Sequence, residues 1–256
     1  MGFTKAPAEQ AEVRLLFPKN RDTIMALIIR IDVDRPYGKQ PFFRHLLSKV
    51  SADLYFPKIE TLGYLKELRI ILHMLNAIQV RAYIFFRYCT LPSQSILALI
   101  DEGDHEIGLH LENSRSFAHF ITEKNMLERH IGKAVLAVSK HGSGGPKYGF
   151  YHYAPYEPDK YIAWARQSQM TLFLGNLEDP SIRPVVDETD FRAYPSAFWL
   201  EPGWRNTKTF TIDWLLSQAK RFDIVLLIHP DNVLADPGLT EAFKRIVLSL
   251  ETRILE

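Results

Sequence analysis

Apolar residues in this chain fall into short runs, and the segments between them carry helical spacing. Seven runs have the length and composition of strands: Ala26–Val33 (ALIIRIDV), Gln79–Phe86, His105–His110 (HEIGLH), Ala134–Ser139, Met170–Leu174, Ala193–Trp199 and Asp223–His229 (DIVLLIH). Pro195 makes the sixth the weakest, since proline cannot donate to a ladder. Between them, Lys58–Asn76 places Leu62, Leu65, Leu68, Leu72 and Leu75 on one face. Ser116–Ile131 repeats that pattern, and Gly132 follows as its stop. Asp159–Gln169 and Thr209–Arg221 are shorter helices, and a last one, carrying Phe243, Ile246, Val247 and Leu250, begins after Pro237 and Gly238.

Strands alternating with helices predict a parallel sheet with βαβ crossovers. The runs IIRIDV and DIVLLI suit strands buried on both faces. An open doubly wound sheet fits this pattern as well. A closed, TIM-barrel-like α/β barrel is favoured because polar residues sit at four C-terminal strand tips, where barrels build their sites. Those tips are Asp32-Val33-Asp34, His110, Ser139-Lys140-His141-Gly142 and His229-Pro230-Asp231.

Composition narrows the class of ligand. The 256 residues are 46% hydrophobic with a formal net charge of +1, which excludes general disorder and leaves no basic excess for a nucleic-acid backbone. No apolar run approaches the roughly 20 residues of a membrane span. Cys89 is the single cysteine, so no internal disulfide forms. The N-terminus lacks a charged start followed by an apolar stretch and a small-residue cleavage site, and the expectation is a cytoplasmic protein. Residues 1–22 read as a polar arm, and 23–256 as one barrel domain.

Two carboxylates and three imidazoles on one rim form a ligand set suited to zinc, and also to manganese, cobalt or iron. Asp32 and Asp34 stand two apart in a strand, so both face the same side, and two such charges call for a cation between them. The loop Gly142–Tyr156 is rich in glycine and aromatic residues. Tyr151 and Tyr153 there, and Trp199 at the end of the sixth strand, offer faces for sugar rings; packing of the loop onto the barrel is the competing role. No Walker spacing, dinucleotide fingerprint or nucleophile elbow occurs.

The order IRIDVD, GDHEIGLH, SKHGSG and VLLIHP resembles the polysaccharide deacetylases, carbohydrate esterase family 4, over roughly residues 25–235. The resemblance implies an irregular (β/α)7 barrel in a single domain, and a metal-dependent hydrolase removing an acyl group, N-acetyl first, from an amino sugar or glycan. Carried over by position, Asp32 is the general base, Asp34 and His110 bind the divalent metal, and His229 is the general acid. Zinc is the first expectation, with manganese, cobalt, nickel or iron as alternatives. The family's second metal-binding histidine falls at position 114, which is Ser114 here, and its Arg-Pro-Pro-Tyr segment is replaced by Ser139-Lys140-His141-Gly142. His141 is the expected replacement ligand; the alternative is a degenerate, non-catalytic carbohydrate-binding barrel. A metal hydrolase of another C–N bond also remains open. His105, His119 and His130 are expected to stand outside the site.

Overall fold

The computed structural model describes residues 27–34, 64–142 and 150–254, together with the isolated positions 43, 46 and 50. The expected arm 1–22, the start of the Leu62 helix and the glycines Gly144 and Gly145 lie outside the described residues.

Among the described residues, nine strands form one sheet: β1 (Leu27–Val33), β2 (Tyr83–Phe86), β3 (Glu106–Leu111), β4 (Ala137–Lys140), β5 (Leu172–Leu177), β6 (Val186–Asp187), β7 (Arg192–Ser196), β8 (Phe198–Trp199) and β9 (Ile224–Ile228). Their spatial order is β6-β7-β5-β4-β3-β2-β1-β9-β8. All neighbours are parallel except β6 against β7. The edges meet through the chain itself. β7 pairs with β5, β8 pairs with β9, and only Ala197 separates β7 from β8. One stretch of chain thus closes the ring, and the seven expected strands become an irregular (β/α)7 barrel with β6 as an added ribbon.

The closing strand is the one that carries Pro195. It splits where it changes partner, and the β5–β7 register shifts between Leu174 and Leu177. Gly175 lies so close to it that a Cβ there would stand 2.2 Å from the Pro195 carbonyl oxygen. That approach requires a residue without a side chain.

Among the described residues, seven α-helices wrap the barrel: α1 (Tyr64–Ala77), α2 (Gln94–Glu102), α3 (Phe117–Ile131), α4 (Pro158–Gln167), α5 (Ile212–Gln218), α6 (Pro230–Ala235) and α7 (Pro237–Ile254). Ser116 caps α3 by accepting from His119 N, and Gly132 ends it at φ 73°. Strand alternation sorts the apolar residues into two layers. Ile29, Ile31 and Val33 of β1 face the helices, with Leu65, Leu68 and Leu72 of α1 in the same cluster. Ile28 faces the barrel interior with Phe85, Leu174, Tyr194, Trp199 and Leu227. Arg30, Asp32 and Asp34 share the parity of Ile28, so the barrel lumen turns from apolar to charged along a single strand.

Candidate functional site

The site is assembled at the C-terminal ends of β1, β3, β4 and β9. Asp34 directly follows β1, and its neighbours come from the ends of three other strands. His141 Nδ1 lies 3.2 Å from Asp34 Oδ2, and His110 Nε2 lies 3.6 Å from Asp34 Oδ1. The two ring nitrogens face each other at 3.3 Å. One donor atom from each of the three residues lies within 4.8 Å of the other two. In a tetrahedral zinc site, ligand bonds of 2.0–2.1 Å put the donors about 3.3 Å apart; the two ring nitrogens stand at that separation, and each approaches a different oxygen of Asp34.

The protonation states also suit a cation. Burial would raise the Asp34 carboxyl, but His141 and His110 hold it well below the usual carboxylate range. Burial, reinforced by the Arg87 guanidinium, pushes the His141 ring well below the usual histidine range, although Asp34 pulls the other way. Ser139 Oγ lies 2.7 Å from His110 Nδ1, a partner that orients the ring and leaves Nε2 toward the cluster. Asp34 Oδ1 accepts no hydrogen bond among the described residues. An ionised carboxylate with an unbonded buried oxygen and two imidazole nitrogens fits a divalent metal of the zinc type.

Asp32 has a different environment. Arg30 reaches it from two residues back, with Nε donating to Oδ1 at 2.8 Å and Nη2 to Oδ2 at 2.6 Å. Arg30 Nη1 donates further to the carbonyls of Leu174 and Gly175, at 2.9 and 2.8 Å. The cation expected between the two aspartates is therefore, for Asp32, a fully buried arginine from the same strand. His110 Nε2 stands 3.4 Å from Asp32 Oδ2, which links the pair to the cluster. A second buried arginine, Arg87 after β2, donates to Glu112 Oε1 at 2.7 Å and lies 3.8 Å from Asp34 Oδ1.

His229 enters from β9, the neighbour of β1, and its Nε2 lies 3.7 Å from Asp34 Oδ2. Its Nδ1 pairs with Glu201 Oε1 at 2.8 Å. Burial disfavours the charged ring, but Glu201, Asp34 and Asp32 outweigh it and push His229 up to about 10. Asp231, in the first turn of α6, is pushed up to about 6 by burial. Trp199 lies beside His229 at a ring separation of 5.7 Å and tilts toward Trp204 at 5.6 Å.

The structure thus brings Asp32, Asp34, His110, His141, His229 and Trp199 together. Tyr151 and Tyr153 sit on the rim, on either side of the buried His152. Arg115 donates to the Tyr151 carbonyl at 3.0 Å, and Tyr153 N donates to Glu112 O at 3.1 Å. Ser114 is buried with its hydroxyl 3.3 Å from Tyr161 on α4. Glu123 of α3 fixes the adjoining segment by accepting the N–H groups of Glu112 and Asn113. His105 is tied to Asn76 and Ala82 N, His119 to Ser116, and His130 to the Pro92 carbonyl.

Arg30, Arg87, Glu201 and His152 were not anticipated as site residues. Arg30 had a signal: a charge inside IIRIDV at the same parity as the two aspartates. Glu201 had none, since its partner lies 28 positions away.

No protein-family model matches the chain, and no curated protein matches it by sequence. Solved structures do. An allantoinase shares 12% identity at a TM-score of 0.56, with 97% of this chain and 92% of that one covered. A probable polysaccharide deacetylase from Pseudomonas aeruginosa PAO1 shares 14% at 0.51, covering 87% and 83%. A carbohydrate esterase family 4 pseudoenzyme from Bacillus anthracis shares 14% at 0.43; this chain spans 90% of its own length but only 63% of that protein. The fold of this chain is the irregular barrel that the deacetylase and the allantoinase have in common with it.

Proposed function

We propose that this chain is a metal-dependent hydrolase that removes an acyl group, N-acetyl first, from an amino-sugar or glycan substrate. The observation that carries the reading is the convergence of Asp34, His110 and His141 from three strands, with donor atoms within 4.8 Å of one another, beside two separately tethered acid–base candidates. Asp34, His110 and His141 would hold the metal, with zinc first. A divalent metal there supplies Lewis-acid polarisation of the acyl carbonyl and favours deprotonation of a water.

The remaining chemistry belongs to the chain. Asp32, held on both oxygens by Arg30, is the general base that accepts the proton of the attacking water. His229, kept protonated by Glu201, delivers a proton to the departing amine, without which an amine is a very poor leaving group. Trp199 forms the apolar wall next to that histidine. Tyr151 and Tyr153 are proposed to meet the sugar at the rim. Cys89, single and buried, fits a reducing compartment, and we assign the protein to the cytoplasm on that ground.

A second reading, hydrolysis of a different C–N bond, draws support from the likeness to an allantoinase, because the same barrel serves unrelated substrates. One experiment separates these and the non-catalytic alternative. The purified chain, loaded with zinc, is given N-acetylglucosamine oligomers and allantoin in parallel, and acetate and ring-opened product are measured. Acetate release that is lost on chelation and in Asp32→Asn supports deacetylation. Turnover of allantoin alone moves the reading to the second substrate class. No turnover of either, with zinc bound, leaves a binding protein.

A further inference from the structure

The peptide carbonyls around His141 are held in an unusual way. β4 ends its pairing at Lys140, and β5 follows it only to Ser139. The His141 N–H still reaches Leu111 O, at 2.9 Å. The carbonyls of residues 140, 141 and 142 lie beyond the ladder, in a buried region where an unpaired carbonyl is costly. Side chains take over from the sheet. Lys140 Nζ donates to the His141 carbonyl oxygen, which also lies 2.9 Å from His152 Nε2. Lys140 Nζ and His152 Nε2 are themselves 3.2 Å apart. The Asn176 amide donates to the Lys140 carbonyl at 2.6 Å and to the Gly142 carbonyl at 3.3 Å. Gly142 takes φ 73°, which lets the chain turn away immediately after the ligand.

Lys140, His152 and Asn176 are all buried. Asn176 is in turn fixed, because its N–H donates to Tyr156 Oη at 2.8 Å and its carbonyl accepts from Trp199 Nε1 at 3.3 Å. The His152 ring also stands edge-on to the His141 ring at 5.2 Å. Three successive carbonyls are therefore gripped by side chains from β4, from the loop before α4 and from β5.

We propose that Lys140, His152 and Asn176 are positioning residues that set the His141 ring at the metal centre, an inference that rests on the metal-site reading above. The reason is geometric. His141 supplies its donor from a strand end, and strand ends fray. Its Nδ1 must stay within tenths of an ångström of the separations from Asp34 and His110 for all three donors to serve one ion. Locking the backbone on both sides of the residue limits its freedom to side-chain torsions. Outer groups of this kind change metal affinity by about 10–100-fold when removed.

The test uses the full chain and two metals. Zinc affinity is measured by competition with a chromogenic chelator, and the visible absorption of the cobalt(II) form reports ligand geometry. His152→Ala and Asn176→Leu are each expected to weaken zinc about 10–100-fold and to shift the cobalt bands. His152→Gln, which keeps a nitrogen donor near the carbonyl, is expected to recover most of the affinity. Tyr194→Phe, which removes a bond to Asp223 away from the site, is a control for lost stability and leaves both readouts unchanged. If His152→Ala fails to fold, Asn176→Leu, matched in volume, decides the matter alone. The inference is overturned if His141→Ala abolishes zinc binding while the His152 and Asn176 variants keep wild-type affinity and spectrum. Zinc binding that survives His141→Ala overturns the metal-site reading, and this inference with it.

Discussion

Replacing Arg30 with methionine tests the charged lumen of the barrel most directly. The guanidinium makes four hydrogen bonds, two to Asp32 and one each to the Leu174 and Gly175 carbonyls. Its carbon lies 5.5 Å from the centre of the Phe85 ring. Both Arg30 and Asp32 are shut away from water. Methionine keeps the length of the chain and removes every donor. Asp32 is then left facing His110 Nε2, at 3.4 Å. Breaking one side of a buried pair costs about 3–5 kcal/mol, against a total domain stability of about 5–15 kcal/mol. With a urea dependence of about 2–3 kcal/mol per molar, the unfolding midpoint drops by about 1–2.5 M. Tryptophan fluorescence in a urea series at pH 7 reads this. Arg30→Met combined with Asp32→Leu removes the stranded carboxylate and is expected to recover most of the loss. A midpoint for Arg30→Met within about 0.3 M of the parent, equivalent to under 1 kcal/mol, refutes the assignment of Arg30 as the counter-charge of Asp32. A double variant no more stable than the single one also refutes it.

Two further predictions concern pH. His229 is held above its unfolded value, up to about 10, so its contribution to stability is full below pH 6.5 and is lost as pH rises toward 10; Glu201→Gln should flatten that limb of the stability–pH curve and move the His229 ring titration downward by NMR. The same variant should slow an amide substrate more than an activated ester, whose leaving group needs no proton; equal losses on both remove His229 from the acid role. His105 is pushed down to about 4, by burial first and by Arg81 second, so it folds neutral and protonates in the unfolded chain. Its stabilising effect is present above pH 6.5 and is lost as pH falls to 4, by up to about 3 kcal/mol. His105→Gln should remove that slope from urea midpoints measured between pH 4 and 7, and an unchanged slope assigns it to another group.

How much of this was legible in the sequence differs from element to element. All seven barrel strands lie within a few residues of the apolar runs, because a strand buried on both faces must be apolar throughout. The start of α3 at Ser116 and its end at Gly132 were readable, since caps are local chemistry. α2 and α6 were missed: nine and six residues are too short for periodicity to stand out from a loop. The strand with Pro195 was correctly marked as weak, yet nothing local says that it breaks in order to pair with β5 on one side and β9 on the other.

For the site, the residue types and the strand tips were determined by the sequence alone. Asp34, His110 and His141 each follow an apolar run, and barrel geometry sends such tips to one rim. Only the tertiary structure decided what each residue is tied to. Arg30 and Asp32 are neighbours in sequence, but their burial depends on a lumen walled by β2, β5 and β9. Glu201 meets His229 from 28 positions away, and Asn176 reaches back 36 positions to the Lys140 carbonyl. Hydrophobic pattern is a property of single segments, and it survives in one dimension. A hydrogen-bonded charge network depends on distances between segments, and those exist only once the barrel has closed.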